Sequence, residues 1–343
     1  MTEVEKAPAA AATTTPAGVA KAPSRSRYAV VTTILAFLAL VPLSRPLIGQ
    51  PYNYVLQIGT VGLMWIGMTA AWNLIGGYTG YISLGHNVFF GLGGYTSGML
   101  LLYFGLSPFL TAPVAGLVSV VFGFIIGRVT LRTRGPAFII STIALLLMVG
   151  LLFDNWDFVG GSKGVSLPLP PFPLATVKVP FYYAMLVVAV GSVYLGFRVA
   201  HSKFGLALRA ISQDETKAEV AGIDTRRMKI AAFSLSAFFV GAAGAIWGYS
   251  LTYLRPTIFF VIGVAAQMVL MVIIGGRGTV AGPVVGSVLL VALNEVAVSQ
   301  FGSSELNIVI TGAILLVVLL FFPQGIVGTL RDRKRLPAFL DWD

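Results

Sequence analysis

Residues 209–229 read RAISQDETKAEVAGIDTRRMK, and nine of these 21 side chains are charged. The whole chain of 343 residues has only 36 Asp, Glu, Lys and Arg residues, so this short stretch holds a quarter of them. Long apolar segments precede and follow it. The fold of this chain must therefore place one charged segment between segments that avoid water.

The composition as a whole points to a membrane environment. The chain is 57% hydrophobic and 10% charged, with a mean hydropathy of +0.87. A soluble domain carries about 25% charged residues, and this chain has too few to cover a water-exposed surface. The 39 glycines suit close contact between helices in lipid. The absence of cysteine excludes disulfides, zinc–thiolate sites and thiol nucleophiles.

The apolar segments predict an all-α polytopic membrane protein with about ten transmembrane helices. A helix needs about 20 mainly apolar residues to cross the hydrocarbon core. Ten segments approach this length, at residues 28–42, 52–75, 81–104, 109–128, 137–153, 181–197, 230–253, 258–275, 283–299 and 306–322.

Basic residues predict the orientation of these spans. With the N-terminus in the cytoplasm and ten crossings, 19 of the 23 Lys and Arg residues fall on the cytoplasmic side and 4 on the outer side. This bias follows the positive-inside rule and accounts for the net charge without nucleic-acid binding. We expect a disordered tail at residues 1–27, no removable signal peptide, a transmembrane domain at 28–328 and a second cytoplasmic tail at 329–343.

The charged stretch contains the signals of a short helix. Ser212 and Glu215 have the spacing of a capping box, and Asp214 lies in the first turn, where the helix dipole favours negative charge. Gly222 stands where a left-handed residue would end the helix. The pattern predicts a cytoplasmic helix over residues 213–221.

So short a helix is marginally stable alone in water. Ala218, Ala221 and Gly222 are small and permit close approach by another surface, and charges across an interface would set its register. Two interpretations stay open on local grounds: a helix docked on another protein, and a solvated loop helix with ordinary membrane-flanking charge.

Three segments resemble one family, the LivM-type permeases of branched-chain amino-acid ABC importers. They are GGYTGYISLGHNVFFGLGGYTSGML (76–100), FGLALRAISQDETKAEVAGIDTRRMKIAAFSLSAFFVGAAGA (204–245) and IIGGRGTVAGPVVGSVL (273–289). FVGGSKGV (158–165) and FFPQGIVG (321–328) are also similar to it, so the resemblance covers nearly all of residues 52–328.

The resemblance implies a permease subunit of the bacterial inner membrane that imports branched-chain or related hydrophobic amino acids. The expected partners are a second, LivH-like permease, two ATPase subunits that carry ATP and Mg, and an extracytoplasmic substrate-binding protein. The chain itself would be no enzyme and would hold no cofactor or metal. Residues 213–222 would be the coupling helix, which docks into a cleft of the ATPase. Its coupling residues would be Asp214, Glu215, Ala218, Glu219, Ala221 and Gly222.

A polar, glycine-rich piece interrupts the third predicted span. Gly94 and Gly98 form a G-x-x-x-G pair typical of tight helix packing. The alternative is a broken or re-entrant helix that lines the translocation path. Two residues have alternatives of their own: His86 is either a proton-relay or a packing residue, and Glu295 is either structural or path-lining. The candidate path residues are Tyr81, Ser83, His86, Asn87, Asn294 and Glu295.

Two further features leave alternatives open. IGGYTGYISLG (75–85) and IGGRGTVAGPVVG (274–286) are similar, either because of an internal duplication or because glycine-rich segments match by chance. The long outer loop 154–180 would receive a binding protein or act as a rigid lid, and its GGSKG run lacks the spacing of a phosphate loop. The alternative functions are a urea or short-amide importer, a stand-alone secondary transporter or channel, and a non-transporting scaffold.

Overall fold

The computed structural model describes residues 25–44, 49, 52–173, 175–301 and 324–333, with isolated positions 309, 312, 313, 322, 337, 340 and 342. Two short strands, β1 (Val165–Ser166) and β2 (Tyr253–Leu254), accompany the helices. In chain order the helices are α1 (Arg25–Leu40), α2 (Tyr52–Gly76), α3 (Asn87–Phe104), α4 (Pro108–Thr130), α5 (Pro136–Asp154), α6 (Lys178–Ala200), α7 (Lys203–Gln213), α8 (Glu215–Val220), α9 (Thr225–Leu251), α10 (Pro256–Phe259), α11 (Ile262–Gly275), α12 (Ala281–Phe301) and α13 (Gly325–Asp332).

The helices confirm the all-α, polytopic class. Within the described residues, seven helical segments are long and apolar enough to cross a membrane: α2, α4, α5, α6, α9, α10 together with α11, and α12. The first predicted span corresponds to α1, which has 16 residues. The tenth predicted span, residues 306–322, lies outside the continuously described chain. The number of ten spans and the orientation of the termini stay predictions.

The third predicted span differs from the structure at its start. Its helix α3 begins at Asn87, and residues 77–86 form a buried loop without helical structure. Gly80 adopts a φ of +76°, which an L side chain rarely allows. The loop's polar backbone finds partners inside the protein, because the Trp72 indole donates to the Ser83 carbonyl (2.7 Å) and Leu84 N–H donates to the Thr142 hydroxyl (3.2 Å). Irregular backbone at membrane depth is tolerated only when it is satisfied in this way.

Helix α9 is the centre of the bundle. It packs against α2, α3, α4 and α6, and 72% of the residues in its most apolar 18-residue stretch are buried. Glycines bring the backbones of α3 and α9 together, since a Cβ on Gly93 would lie 1.9 Å from the Gly241 carbonyl oxygen, and one on Gly244 would lie 1.9 Å from that of Phe90. Such close approach lets helices pack by van der Waals contact without a hydrophobic driving force.

The predicted G-x-x-x-G pair packs against other elements. A Cβ on Gly94 would approach the Phe259 ring to 2.9 Å, and one on Gly98 would approach the Leu254 side chain to 2.4 Å. The pair therefore lies against α10 and β2, and the tight-packing interpretation is confirmed.

The two similar glycine-rich segments meet in space. The Asn73 side chain donates to the Thr279 carbonyl (2.9 Å) and accepts from Gly278 N–H (3.0 Å). A Cβ on Gly77 would lie 2.6 Å from the Gly278 nitrogen. The turns after α2 and α11 thus pack directly on each other, and their origin by internal duplication stays a prediction.

The loop between α5 and α6, which the sequence predicts to be outside, carries β1, and β1 pairs with β2 in a two-stranded ribbon. The all-helical expectation did not include this ribbon. Val165 pairs with Leu254 in an antiparallel register, and Leu167 N–H donates to the Thr252 carbonyl at 2.8 Å. The loop is thereby fixed to the end of α9. Whether it receives a binding protein or acts as a lid stays open.

We expect Gly93→Ala to destabilise the bundle by about 1–3 kcal/mol, because the new methyl group would overlap the Gly241 carbonyl and force α3 from α9. Gly62→Ala in α2 is the matched control, since no atom lies within 4 Å of the Cβ it would add. Equilibrium unfolding in mixed micelles measures both variants. Equal stability of the two variants would contradict the assigned α3–α9 contact.

Candidate functional site

The charged stretch forms two short helices, and their boundary corrects the predicted cap. Residues 203–213 form α7, and Ser212 lies in its last turn. Asp214 is extended (φ −162°, ψ 109°) and accepts a hydrogen bond from Lys217 N–H at 3.0 Å. Asp214 therefore caps α8 in place of Ser212, because its extended backbone ends α7. Helix α8 has six residues, so the predicted 213–221 helix is too long at both ends.

The predicted role of Gly222 as the left-handed residue after this helix is confirmed. Gly222 has a φ of +85°, its N–H donates to the Glu219 carbonyl (2.9 Å), and Ile223 N–H donates to the Ala218 carbonyl (3.0 Å). These paired bonds define a Schellman motif. The Asp224 side chain then accepts from Arg227 N–H at 3.0 Å and caps α9. A sharp turn thus joins α8 directly to the central helix.

A buried ion pair ties α8 to α9. Lys229 Nζ lies 2.6 Å from Glu215 Oε1, with side-chain exposures of 3% and 11%. The Tyr81 hydroxyl donates to the other Glu215 oxygen and accepts from Lys229 Nζ at 3.0 Å. Three segments that are distant in sequence, namely the 77–86 loop, α8 and α9, therefore meet at one carboxylate.

A second layer of polar contacts surrounds this pair. Arg134 Nη2 lies 3.3 Å from Glu215 and 3.2 Å from Glu219, and the Thr225 hydroxyl donates to Glu219 at 2.8 Å. Arg134 belongs to the turn between α4 and α5, so a fourth segment joins the cluster. We name Tyr81, Arg134, Glu215, Glu219, Thr225 and Lys229 the α8 anchor.

The anchor keeps its central carboxylate ionised. Burial acts to raise the pKa of Glu215, but hydrogen bonds from Lys229 and Tyr81 and the charge of Arg134 outweigh burial and lower this pKa. The backbone N–H of Lys217 likewise lowers the pKa of Asp214. Because both folded-state pKa values lie below the unfolded ones, the stabilisation is complete at neutral pH and is lost as pH falls through the folded values.

The structure divides the six predicted coupling residues between two faces. Glu215 and Ala218 point inward, and Ala218 is 4% exposed. Glu219, Ala221 and Gly222 are exposed, although Glu219 also contacts Arg134, and Asp214 is half-buried.

The outward face contains one residue that sequence reasoning missed. Val220 is 86% exposed in a helix whose other outward side chains are polar or small. An apolar side chain at the tip of a charged turn was the available signal. Burial of an exposed apolar side chain lowers the free energy of the system. Val220 is therefore the side chain of α8 best suited to a partner's cleft.

Three of the predicted path residues lie in the core of the chain. Ser83, His86 and Asn87 have no exposed surface. The His86 Nε2 atom is 2.8 Å from the Ser236 hydroxyl, and the Asn87 amide donates to the carbonyls of Phe259 and Val261. These contacts attach the irregular loop to α9 and to the α10–α11 junction. Exposure of the three side chains to a path would require these helices to separate.

The other path candidates divide further. Tyr81 belongs to the α8 anchor. Asn294 and Glu295 line a surface cleft of about 120 Å³ between α2, α11 and α12. The Tyr54 hydroxyl donates to Glu295, so this carboxylate within a predicted span has a partner.

The cleft contains two amides that sequence reasoning missed. Gln57 from α2 and Gln267 from α11 line it beside Asn294 and Glu295. Uncharged amides inside predicted spans were the signal that could have found them. The cleft offers hydrogen-bond donors and acceptors on the surface of the bundle. Among the described residues, the cleft included, no group of three or more His, Asp and Glu residues is arranged to hold a metal ion.

Comparison with known proteins identifies the family. The family described as branched-chain amino acid transport system, permease component, matches residues 52–319, and the chain belongs to it. The high-affinity branched-chain amino acid transport system permease protein LivM of Salmonella typhimurium is 28% identical over 82% of this chain and 72% of its own length. LivM of Escherichia coli is 27% identical over 82% and 71%. The permease protein LivH of Escherichia coli is 27% identical over 81% and 94%. No solved structure matches the chain at a comparable level. The resemblance to LivM-type permeases is thus confirmed.

We expect Glu215→Gln to destabilise the protein by about 3–5 kcal/mol, because it leaves the Lys229 ammonium buried without a counter-charge. The double variant Glu215→Gln/Lys229→Met should recover most of this loss, since it removes both charges. Lys217→Met, an exposed lysine of the same helix, is the control and should change stability little. Equilibrium unfolding of the unchanged chain, Glu215→Gln, Lys229→Met and the double variant gives the coupling free energy. Additive effects of the two substitutions would contradict the pair.

Proposed function

We propose that this chain is the transmembrane permease subunit of an ABC importer for branched-chain or related hydrophobic amino acids. The family match over residues 52–319 carries the proposal. The importer would lie in a bacterial inner membrane, with both termini of this chain in the cytoplasm. A LivH-like permease, two ATPases that bind ATP and Mg, and an extracytoplasmic binding protein would complete it.

In this proposal the outward face of α8 docks into an ATPase cleft. Val220 would supply the apolar contact, with Ala221 and Gly222 allowing close approach. Lys217 and Asp214 at the rim would set the register of docking more than its strength.

The α8 anchor gives this docking a mechanical route into the membrane. Movement of α8 would reach α9 through Glu215 and Lys229, and would reach the 77–86 loop through Tyr81. That loop leads directly into α3, which packs on α9 at the glycine contact. Because these contacts are charged, short and buried, they would move as one unit with α8.

The cleft of α2, α11 and α12 is the proposed contribution of this chain to the translocation path. Its lining combines apolar side chains with three amides, one phenol and one carboxylate. In the assembled importer a second permease would cover it. The ammonium and carboxylate of an amino acid need hydrogen-bonding partners in transit, and the amides of Gln57, Gln267 and Asn294 supply both kinds. A role for Ser83, His86 and Asn87 in the path stays a prediction that requires an opened state.

We expect Val220→Asp to weaken ATPase binding about tenfold to hundredfold, since burial of a valine contributes about 1.5–3 kcal/mol. Co-purification of the ATPase with the tagged permease measures the loss. Leu169→Asp, which changes an exposed apolar residue of the outer loop, is the matched control and should retain the ATPase. Val220 tests docking more directly than Glu219, because Glu219 also anchors α8 internally. Unchanged ATPase binding by Val220→Asp would reject α8 as the coupling helix.

Reconstitution tests the function itself. In proteoliposomes containing the assembled complex, we expect leucine uptake that requires ATP and the binding protein. Gln267→Leu should reduce uptake about tenfold or more while ATPase co-purification stays normal, because a hydrogen bond to a charged group contributes about 1.5–3 kcal/mol. Gln300→Leu, at an exposed amide near the end of α12 that does not line the cleft, is the control. Uptake by this chain alone, driven by an ion gradient, would reject the importer assignment, and uptake of urea without leucine would reject the substrate class.

A further inference from the structure

A basic cavity in the described chain is formed by helices other than those of the polar cleft. It has a volume of about 670 Å³ and lies between the end of α4 and the start of α9. Four arginines line it, Arg128, Arg132, Arg226 and Arg227, against one acidic residue, Asp224. Four positive charges and one negative charge leave the cavity a net charge of +3.

Most of this charge is not neutralised within the protein. Arg227 Nε lies 3.0 Å from Asp224 Oδ2, so these two side chains pair with each other. Among the described residues, no ion pair joins Arg128, Arg132 or Arg226 to a carboxylate. The Arg128 guanidinium lies 4.1 Å from the centre of the Phe124 ring, which holds it beside the cavity. Three guanidinium groups are thus available to one anion.

The remaining wall of the cavity is apolar, with one buried hydroxyl. Phe124 and Ile230 line it below the arginines. The Ser234 side chain also lines it, is 7% exposed, and its Oγ has no hydrogen-bond partner in the described part of the chain. An occupant that fits must therefore present an anion at one end and apolar groups below it.

The cavity is continuous with a surface that would face lipid chains. Val121, Ile125 and Val129 are exposed along α4 beside it. Helix α4 packs on α3, α5 and α9, whereas the cleft assigned to the second permease is formed by α2, α11 and α12. The apolar side of the cavity thus lies away from that cleft.

We propose that this cavity binds an anionic phospholipid of the cytoplasmic leaflet. The phosphate would lie among Arg128, Arg132 and Arg226, because guanidinium groups match phosphate oxygens in geometry and charge. The acyl chains would follow Phe124 and the exposed face of α4. Basic pockets between transmembrane helices on the cytoplasmic side are suited to anionic headgroups. A soluble protein would meet the arginines but not the apolar wall inside the bilayer.

Lipid titration of the purified full chain tests this proposal. We expect phosphatidylglycerol to raise the Tm in a saturable manner that weakens with salt, and phosphatidylcholine to have little effect. Arg226→Gln should weaken the apparent affinity about fivefold, because each basic residue contributes about 1 kcal/mol. The triple variant Arg128→Gln/Arg132→Gln/Arg226→Gln should weaken it about a hundredfold, since the three contributions multiply. Native mass spectrometry of bound lipid gives an independent measurement.

The matched control is Arg198→Gln, since Arg198 also lies in the last turn of a transmembrane helix but does not line the cavity. It should bind phosphatidylglycerol as the unchanged chain does.

Equal loss in Arg198→Gln would overturn the site in favour of diffuse charge, and unchanged binding by the triple variant would overturn it outright. An equal Tm shift with inorganic phosphate alone would show a free-anion site. Lost ATPase binding with unchanged lipid binding in Arg226→Gln would show a protein-docking surface. Either of the last two results would reject the lipid assignment.

Discussion

The Glu215–Lys229 ion pair is the contact on which the placement of α8 against the bundle depends. Either charge alone would be costly to bury, so each requires the other. Their geometry is strengthened by Tyr81, whose hydroxyl bonds to both groups. Since α8 has only six residues, its own backbone hydrogen bonds could not hold it in a fixed position. The pair instead fixes α8 to the most central helix of the bundle.

The bilayer imposes the second constraint, which explains the irregular loop before α3. A chain in lipid cannot leave backbone groups unpaired, so a break in a span must be enclosed by protein. Residues 77–86 satisfy this demand with a donor from Trp72, an acceptor from Thr142 and packing against the similar turn after α11. Two further contacts hold the loop in place: Tyr81 in its middle bonds to Glu215 of α8, and Asn87 directly after it bonds to the α10–α11 junction.

The sequence was sufficient to predict those features that arise from local chemistry or from bulk composition. Long apolar segments predicted the class, and Gly222 predicted the turn that ends α8. The N-terminal cap of α8 was misassigned, because Ser212 and Asp214 both suit a cap and only the end of α7 decides between them. The α8 anchor was not predictable, because Tyr81, Arg134 and Lys229 come from segments that meet only in the folded bundle. Ser83, His86 and Asn87 look alike in sequence whether they face a path or a neighbouring helix, and the structure packs them inward.

The two faces of α8 have a consequence for how such an assembly can change over time. The inner face contacts three other segments at once, so a substitution there must be compensated inside the same chain. The outer face, with Thr216, Lys217 and Val220, is constrained only by whatever it meets. A change in the proposed ATPase partner could therefore be accommodated by altering a few side chains on one face of α8. The contacts inside this chain would stay the same.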